Sequence, residues 1–236
     1  MRPYGSYARF LGSLSLLFRR RLAMTVVLLL TASIGVGPAG AAVPASATPS
    51  ARVYLLRGVL NIFSLGLDEI AAKLQQQGIL VTIDNYLAWS SLADQAAAEY
   101  RSGRVRTIIL VGHSSGATVL PDMVARLDQL GAPVKLAIGL DSVFQTQLGG
   151  HVGRYINFYV ASGAGVPVMR TKDFHGELEN VDVENVSGVG HLTIDKNQIM
   201  QQRVINAIDA VVFSRPEARS TKPGSATAVG YPAPGR

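Results

Sequence analysis

The chain is predicted to be an α/β protein whose mostly parallel sheet carries helices on both faces. Three observations lead there. Short aliphatic runs alternate along residues 52–212 with segments whose apolar residues recur at helical spacing. The most apolar run, residues 106–111, shows no polar alternation, as a strand covered on both faces requires. Strands separated by helical segments also need long crossovers, and these make neighbouring strands parallel and the crossovers right-handed.

Taken in order, residues 53–56 form a short strand ending at Arg57-Gly58. From Ser64 the pattern turns helical, with Leu67, Ile70, Ala71 and Leu74 on one face, Asp68 and Glu69 in the first turn, and Gly78 as the stop. Residues 79–83, ILVTI, are the second strand, and a polar stretch leads to a helix over 91–101 that Gly103 ends. Residues 106–111 are the central strand. Beyond a glycine-bracketed turn, Leu120, Met123, Val124 and Leu127 carry a helical stripe to Gly131. Pro121 falls inside that stripe and is expected to remove one helical hydrogen bond and kink the helix. Strands follow at 135–140, 155–160 and 177–183, and residues 196–212 form a closing helix begun by Asp195 and Lys196, with Met200, Val204 and Ile208 in register.

The two ends differ from this domain, read as 48–213. Residues 1–21 hold five Arg and no acid, and residues 22–36 are an uninterrupted uncharged run. That is the form of a secretory signal over 1–47, with small residues at Ala39-Gly40-Ala41 and Ala45-Ser46-Ala47 as cleavage points. The expected location is periplasmic or secreted, with an uncleaved membrane segment over 22–38 as the alternative and membrane contact only through it. Residues 214–236, rich in Pro, Gly, Ser and Ala, read as a disordered tail. Of the 22 basic residues five lie in 1–47, with none of the 16 acidic ones. The remainder carries 17 against 16, a net charge of +1, so the high pI of the whole chain does not point to a nucleic-acid partner. The absence of Cys excludes a disulfide framework, a thiol nucleophile and a thiolate metal site.

Chemistry gathers where strands end. Gly112-His113-Ser114-Ser115-Gly116 is a G-x-S-x-G, a pattern that chance produces about 0.2 times in a chain of this composition, so its context has to carry it. It follows the central strand and precedes a helix. Ser114 on so sharp a turn lifts its hydroxyl into solvent, and the flanking glycines remove side chains that would collide where strand and helix cross. Asp141 follows the strand 135–140, and His191 follows the last strand in the loop SGVGHLTID. All three residues therefore belong to the carboxyl edge of one parallel sheet, where catalytic groups of such folds sit. The N–H of Ser115, at a helix start, can face an oxyanion, and the loop after the first strand, Gly58 and Val59, lies where a second donor is needed. A Walker-type phosphate loop is excluded, since no Lys follows the glycines, which leaves a plain glycine-rich turn as the alternative reading of Ser114.

LVGHSSGA, together with RGVLNIFSLGLDEIAAKL, IGLDSV and GHLTIDK, resembles the α/β-hydrolase superfamily, and within it small exported bacterial lipase- or thioesterase-like serine hydrolases. The resemblance covers residues 52–212. It implies a compact α/β-hydrolase fold with Ser114 as nucleophile, His191 as general base and Asp141 as the acid that orients it. Many such proteins place the acid after the penultimate strand, but that stretch here is Ser162-Gly-Ala-Gly-Val-Pro167 and offers no carboxylate. Asp141, one strand earlier, and Asp173, in a polar loop, are the two candidates. Two strands usual in larger hydrolases are absent before residue 52, and no lid-sized helical insertion stands between Asp141 and Tyr155, so an open site is expected. The implied activity is hydrolysis of a small-molecule carboxylic ester or thioester through an acyl-enzyme, with no metal or organic cofactor. The competing reading is a non-catalytic ligand- or partner-binding protein of the cell envelope that keeps the fold. Asn61, Phe63, Tyr86, Trp89 and Phe144 are candidates for a substrate pocket, with packing as the plainer role, and Arg57 for either an anion contact or a structural ion pair.

Overall fold

The computed structural model describes residues 50–214. The expected targeting segment and, apart from Ser214, the expected tail lie outside the described residues. Six strands form one parallel sheet: β1 (Ala51–Arg57), β2 (Leu80–Asn85), β3 (Thr107–His113), β4 (Val134–Leu140), β5 (His151–Tyr159) and β6 (His175–Asp182). Their order is β2-β1-β3-β4-β5-β6, every pair parallel. Between them run α1 (Gly66–Gln76), α2 (Trp89–Arg101) and α3 (Leu120–Gln129), and α4 (Gln198–Val212) closes the domain. A two-residue ladder, Gln147–Leu148 with Met169–Arg170, sits beside the sheet.

The period of two in β1, β3 and β4 divides the core. Val53, Leu55, Ile109, Val111, Leu136 and Ile138 pack on α1 and α4, while Tyr54, Leu56, Ile108, Leu110 and Ala137 pack on α2 and α3. With both faces covered, strand 107–111 has no solvent side to mark with polar residues, which explains its unbroken apolar run. Each fully buried Ile or Leu contributes about 1.5–3 kcal/mol. The chain goes outward from β1 to the edge strand β2 and then returns to place β3 on the other side of β1. The strand order thus reverses between β1 and β3, and the loops after these two strands open a crevice at the carboxyl edge.

Two local expectations are corrected. Pro121 does not kink a helix: the single turn Ser115–Thr118 ends first, and Pro121 lies in the first turn of α3. There its missing N–H would have had no helical acceptor, and its fixed φ suits a helix start. At the closing helix, Asp195 and Lys196 do not begin α4. Asn197 caps it, its side-chain oxygen accepting from the N–H groups of Ile199 and Met200 at 3.0 and 3.3 Å. Asp195 is instead fully buried.

Candidate active site

Ser114 joins β3 to the helical turn Ser115–Thr118 with φ 58° and ψ −123°, a conformation that costs a non-glycine residue on the order of 1–3 kcal/mol. The surroundings hold it there. Its N–H donates to the Leu140 carbonyl at 2.9 Å, and its own carbonyl accepts from Thr118 N–H at 3.0 Å. The glycines on either side are sterically required. A Cβ at Gly112 would lie 2.4 Å from the Gly116 oxygen, and one at Gly116 would lie 2.0 Å from the Leu56 oxygen.

The three residues expected at strand ends form one continuous line. Ser114 Oγ is 3.1 Å from His191 Nε2, and His191 Nδ1 is 2.7 Å from Asp141 Oδ2. An ionised carboxylate can only accept, so it fixes the proton on Nδ1 and leaves the Nε2 lone pair facing the serine hydroxyl. Asp141 is held as firmly as the serine. Its side chain is fully buried, its φ is 57°, its N–H donates to the Phe158 carbonyl at 2.8 Å, and its Oδ1 accepts from Val160 N–H at 2.8 Å. The glycine loop after β5, which offers no carboxylate of its own between Ser162 and Pro167, therefore serves the one from β4. Gly165 covers Asp141 so closely that a Cβ there would lie 1.8 Å from Oδ1.

Asp173 lies elsewhere. It precedes β6 and neighbours Gly149 and Gly150 before β5, which puts it at the amino edge of the sheet, with the length of a strand between it and His191. Hydrogen bonding from Thr171 holds its carboxyl below the ordinary value. Asp173 therefore belongs to that turn and drops out as the partner of His191.

The loop after β1 reaches the serine from the other side of the crevice. Gly58 abuts it: a Cβ there would lie 2.9 Å from Ser114 Cβ. One expected donor is corrected, because the Gly58 N–H points to the buried Ser64 Oγ at 2.9 Å and is not available to an oxyanion. Val59 N–H and Ser115 N–H have no intramolecular acceptor among the described residues. The loop is further tied by Asn85 at the end of β2, whose amide donates to the Gly58 carbonyl at 3.2 Å and to Asn61 Oδ1 at 2.8 Å. Leu60 and Asn61 both take positive φ, 61° and 58°, in the turn so pinned.

Several other residues find plain roles. Arg57 pairs with Asp68 at the start of α1, a structural ion pair. Trp89 packs against the core, and Asn61 serves the loop. Phe63 and Phe144 stand exposed at the rim beside Val59, Leu60, Ile62, Leu65, Leu87 and Leu192. These eight, from 41% to 75% exposed, all lie in loops or turns at the carboxyl edge of the sheet. Ser64, Asn85, Val160 and Asp195 were not singled out from the sequence as site residues, because each acts through a contact made across loops distant in the chain.

No protein-family model matches the chain, and no curated protein matches it. Among solved structures, one described as the crystal structure of the gene lin2722 products from Listeria innocua is similar to it at 10% identity, over 71% of this chain and 95% of that one, with a TM-score of 0.44.

Proposed function

We propose that this protein is an α/β-hydrolase-type serine hydrolase that cleaves a carboxylic ester or thioester through an acyl-enzyme on Ser114. The observation that carries this reading is the unbroken hydrogen-bond line from Ser114 through His191 to a fully buried Asp141. In the first half-reaction His191 Nε2 takes the hydroxyl proton as Ser114 Oγ bonds to the acyl carbon, and Asp141 stabilises the imidazolium. The carbonyl oxygen, now an oxyanion, accepts from Ser115 N–H and Val59 N–H. Collapse breaks the bond to the alcohol or thiol, which leaves with the proton from His191. Water then repeats the sequence, giving its proton to His191 and releasing the acid.

The apolar rim supports a substrate with an aliphatic or aromatic acyl or alcohol portion, since eight of the twelve exposed large apolar side chains among the described residues lie in loops or turns at the sheet edge that carries Ser114. The basic and apolar character of residues 1–47 supports export, and sequencing the mature amino terminus tests that. The activity is tested with a fluorophosphonate probe and short p-nitrophenyl esters. Labelling at Ser114 and turnover, both lost in Ser114→Ala, are expected. Folded wild-type protein that neither labels nor turns over would favour the non-catalytic binding protein instead.

A further inference from the structure

His113, inside the G-x-S-x-G, is fully buried, and both its ring nitrogens are engaged. Nε2 lies 2.8 Å from the His191 carbonyl oxygen, and Nδ1 lies 2.8 Å from Ser64 Oγ, which itself takes the Gly58 N–H at 2.9 Å. The two ends of this chain fix its polarity. A carbonyl can only accept, so Nε2 carries the proton; Nδ1 is then a lone pair, so the Ser64 hydroxyl donates to it and uses its oxygen for Gly58. Along this chain the Gly58 N–H, the Ser64 hydroxyl, both His113 nitrogens and the His191 carbonyl are all paired, and only neutral His113 in this one tautomer pairs them all. A second tie runs parallel to the first. Asp195, four residues beyond His191, accepts from Gly66 N–H at 2.8 Å, and Gly66 packs so closely on the Asp195 backbone that a Cβ would lie 2.2 Å from its oxygen.

We infer that Ser64 and His113 are positioning residues that hold the oxyanion-side loop after β1 in register with the loop bearing His191, both referred to the rigid end of β3. One end of the bracket is the residue before Val59, the other is the backbone of His191 itself. It acts on the reaction through these neighbours, and in that respect rests on the serine-hydrolase reading. The loop after β1 has no regular structure between Gly58 and Gly66 beyond one short turn, and it holds two residues at positive φ. The other ties on this loop, from Asn85 to the Gly58 carbonyl and Asn61 and from Gly66 to Asp195, leave the Gly58 N–H itself unheld without the bracket, and misplacement of about 1 Å costs about 100-fold in rate.

The test compares wild type with Ser64→Ala and Ser64→Thr, each first checked for folding by circular dichroism. In wild type, ring 15N shifts are expected to report His113 as neutral with the proton on Nε2. The Gly58 amide is expected to lose protection from hydrogen exchange in Ser64→Ala and to keep it in Ser64→Thr. On a p-nitrophenyl ester, Ser64→Ala is expected to lower kcat about 10- to 100-fold with KM nearly unchanged, and Ser64→Thr to restore most of it. If Ser64→Ala does not fold, His113→Asn is expected to give the same split. A proton on Nδ1, or Gly58 protection indifferent to the Ser64 hydroxyl, overturns the bracket; folded Ser64→Ala with wild-type kcat overturns its positioning role. A wild type that hydrolyses no ester sinks the serine-hydrolase reading, while the tautomer and the Gly58 amide still decide the bracket.

Discussion

At the residue scale, Asp141 separates roles most sharply. As it is the carboxylate that meets His191 Nδ1 among the described residues, Asp141→Asn is expected to reverse the tautomer preference and lower kcat about 10⁴-fold, whereas Asp173→Asn is expected to leave ester turnover within about twofold. Steady-state kinetics of the two variants measures this. His113 gives a second expectation. Burial disfavours its cation and holds its pKa below the ordinary 6.5, so the unfolded chain binds a proton that the folded one refuses. Its stabilising contribution is thus complete above about pH 6.5 and is lost as the pH falls below that value. The charges facing it act in both directions: Asp195 and Asp141 raise its pKa, and the His191 ring lowers it. Asp195, pushed up by its own burial, contributes with the opposite sign, since protonation relieves it. The expected net result is a Tm that falls between about pH 7 and pH 5.5, with a shallower slope in His113→Asn. A Tm that rises over this range would show Asp195 to be the dominant group.

At the scale of elements, the strand-to-helix turn depends on bare backbone. The helical turn after Ser114 crosses β1 at Gly116 and its own strand at Gly112, with contacts that leave no room for a methyl group. Gly116→Ala meets the Leu56 carbonyl, which belongs to a hydrogen-bonded central strand and cannot step aside, so a loss of about 1–3 kcal/mol or more is expected in urea unfolding. Gly165→Ala acts differently. Its methyl would displace the Asp141 carboxylate, so activity should drop well beyond any change in Tm. Measuring kcat and Tm on the same preparation distinguishes the two effects.

Across the whole molecule, the sheet delivers β1, β3, β4 and β6 to one edge, and eight exposed apolar side chains lie in loops or turns at that same edge. Replacing two of them, Leu60→Ser with Leu87→Ser, removes no buried contact and should leave Tm nearly unchanged. The ratio of kcat/KM for long-chain over short-chain p-nitrophenyl esters is then expected to fall about 10-fold, since each buried methylene is worth about 0.8 kcal/mol. An unchanged ratio would detach the rim from substrate recognition.

Much of this arrangement was legible in the residues. Apolar periodicity placed every strand and helix of the main sheet to within a few residues. Parallel strands then put the residues after Val111, Leu140 and the last strand on a common edge, because a parallel sheet has only one carboxyl edge. The same rule separates Asp173 from the serine, once it is seen to precede a strand. Helix starts were less legible, because Pro121 and Asp195 could each be read two ways until the neighbouring turn was in place. Hydrogen-bond direction in the β1–α1 loop was not legible at all. Whether Gly58 N–H faces Ser114 or Ser64 depends on the positive φ of Leu60 and Asn61, on Asn85 from another strand and on His113 from a third. Local sequence therefore sets where the chain turns and which edge each polar residue reaches, since those follow from side-chain period and strand direction. Which donors remain free, and which carboxylate meets His191, is set by contacts between residues tens of positions apart, whose distances exist only once the sheet has closed around them.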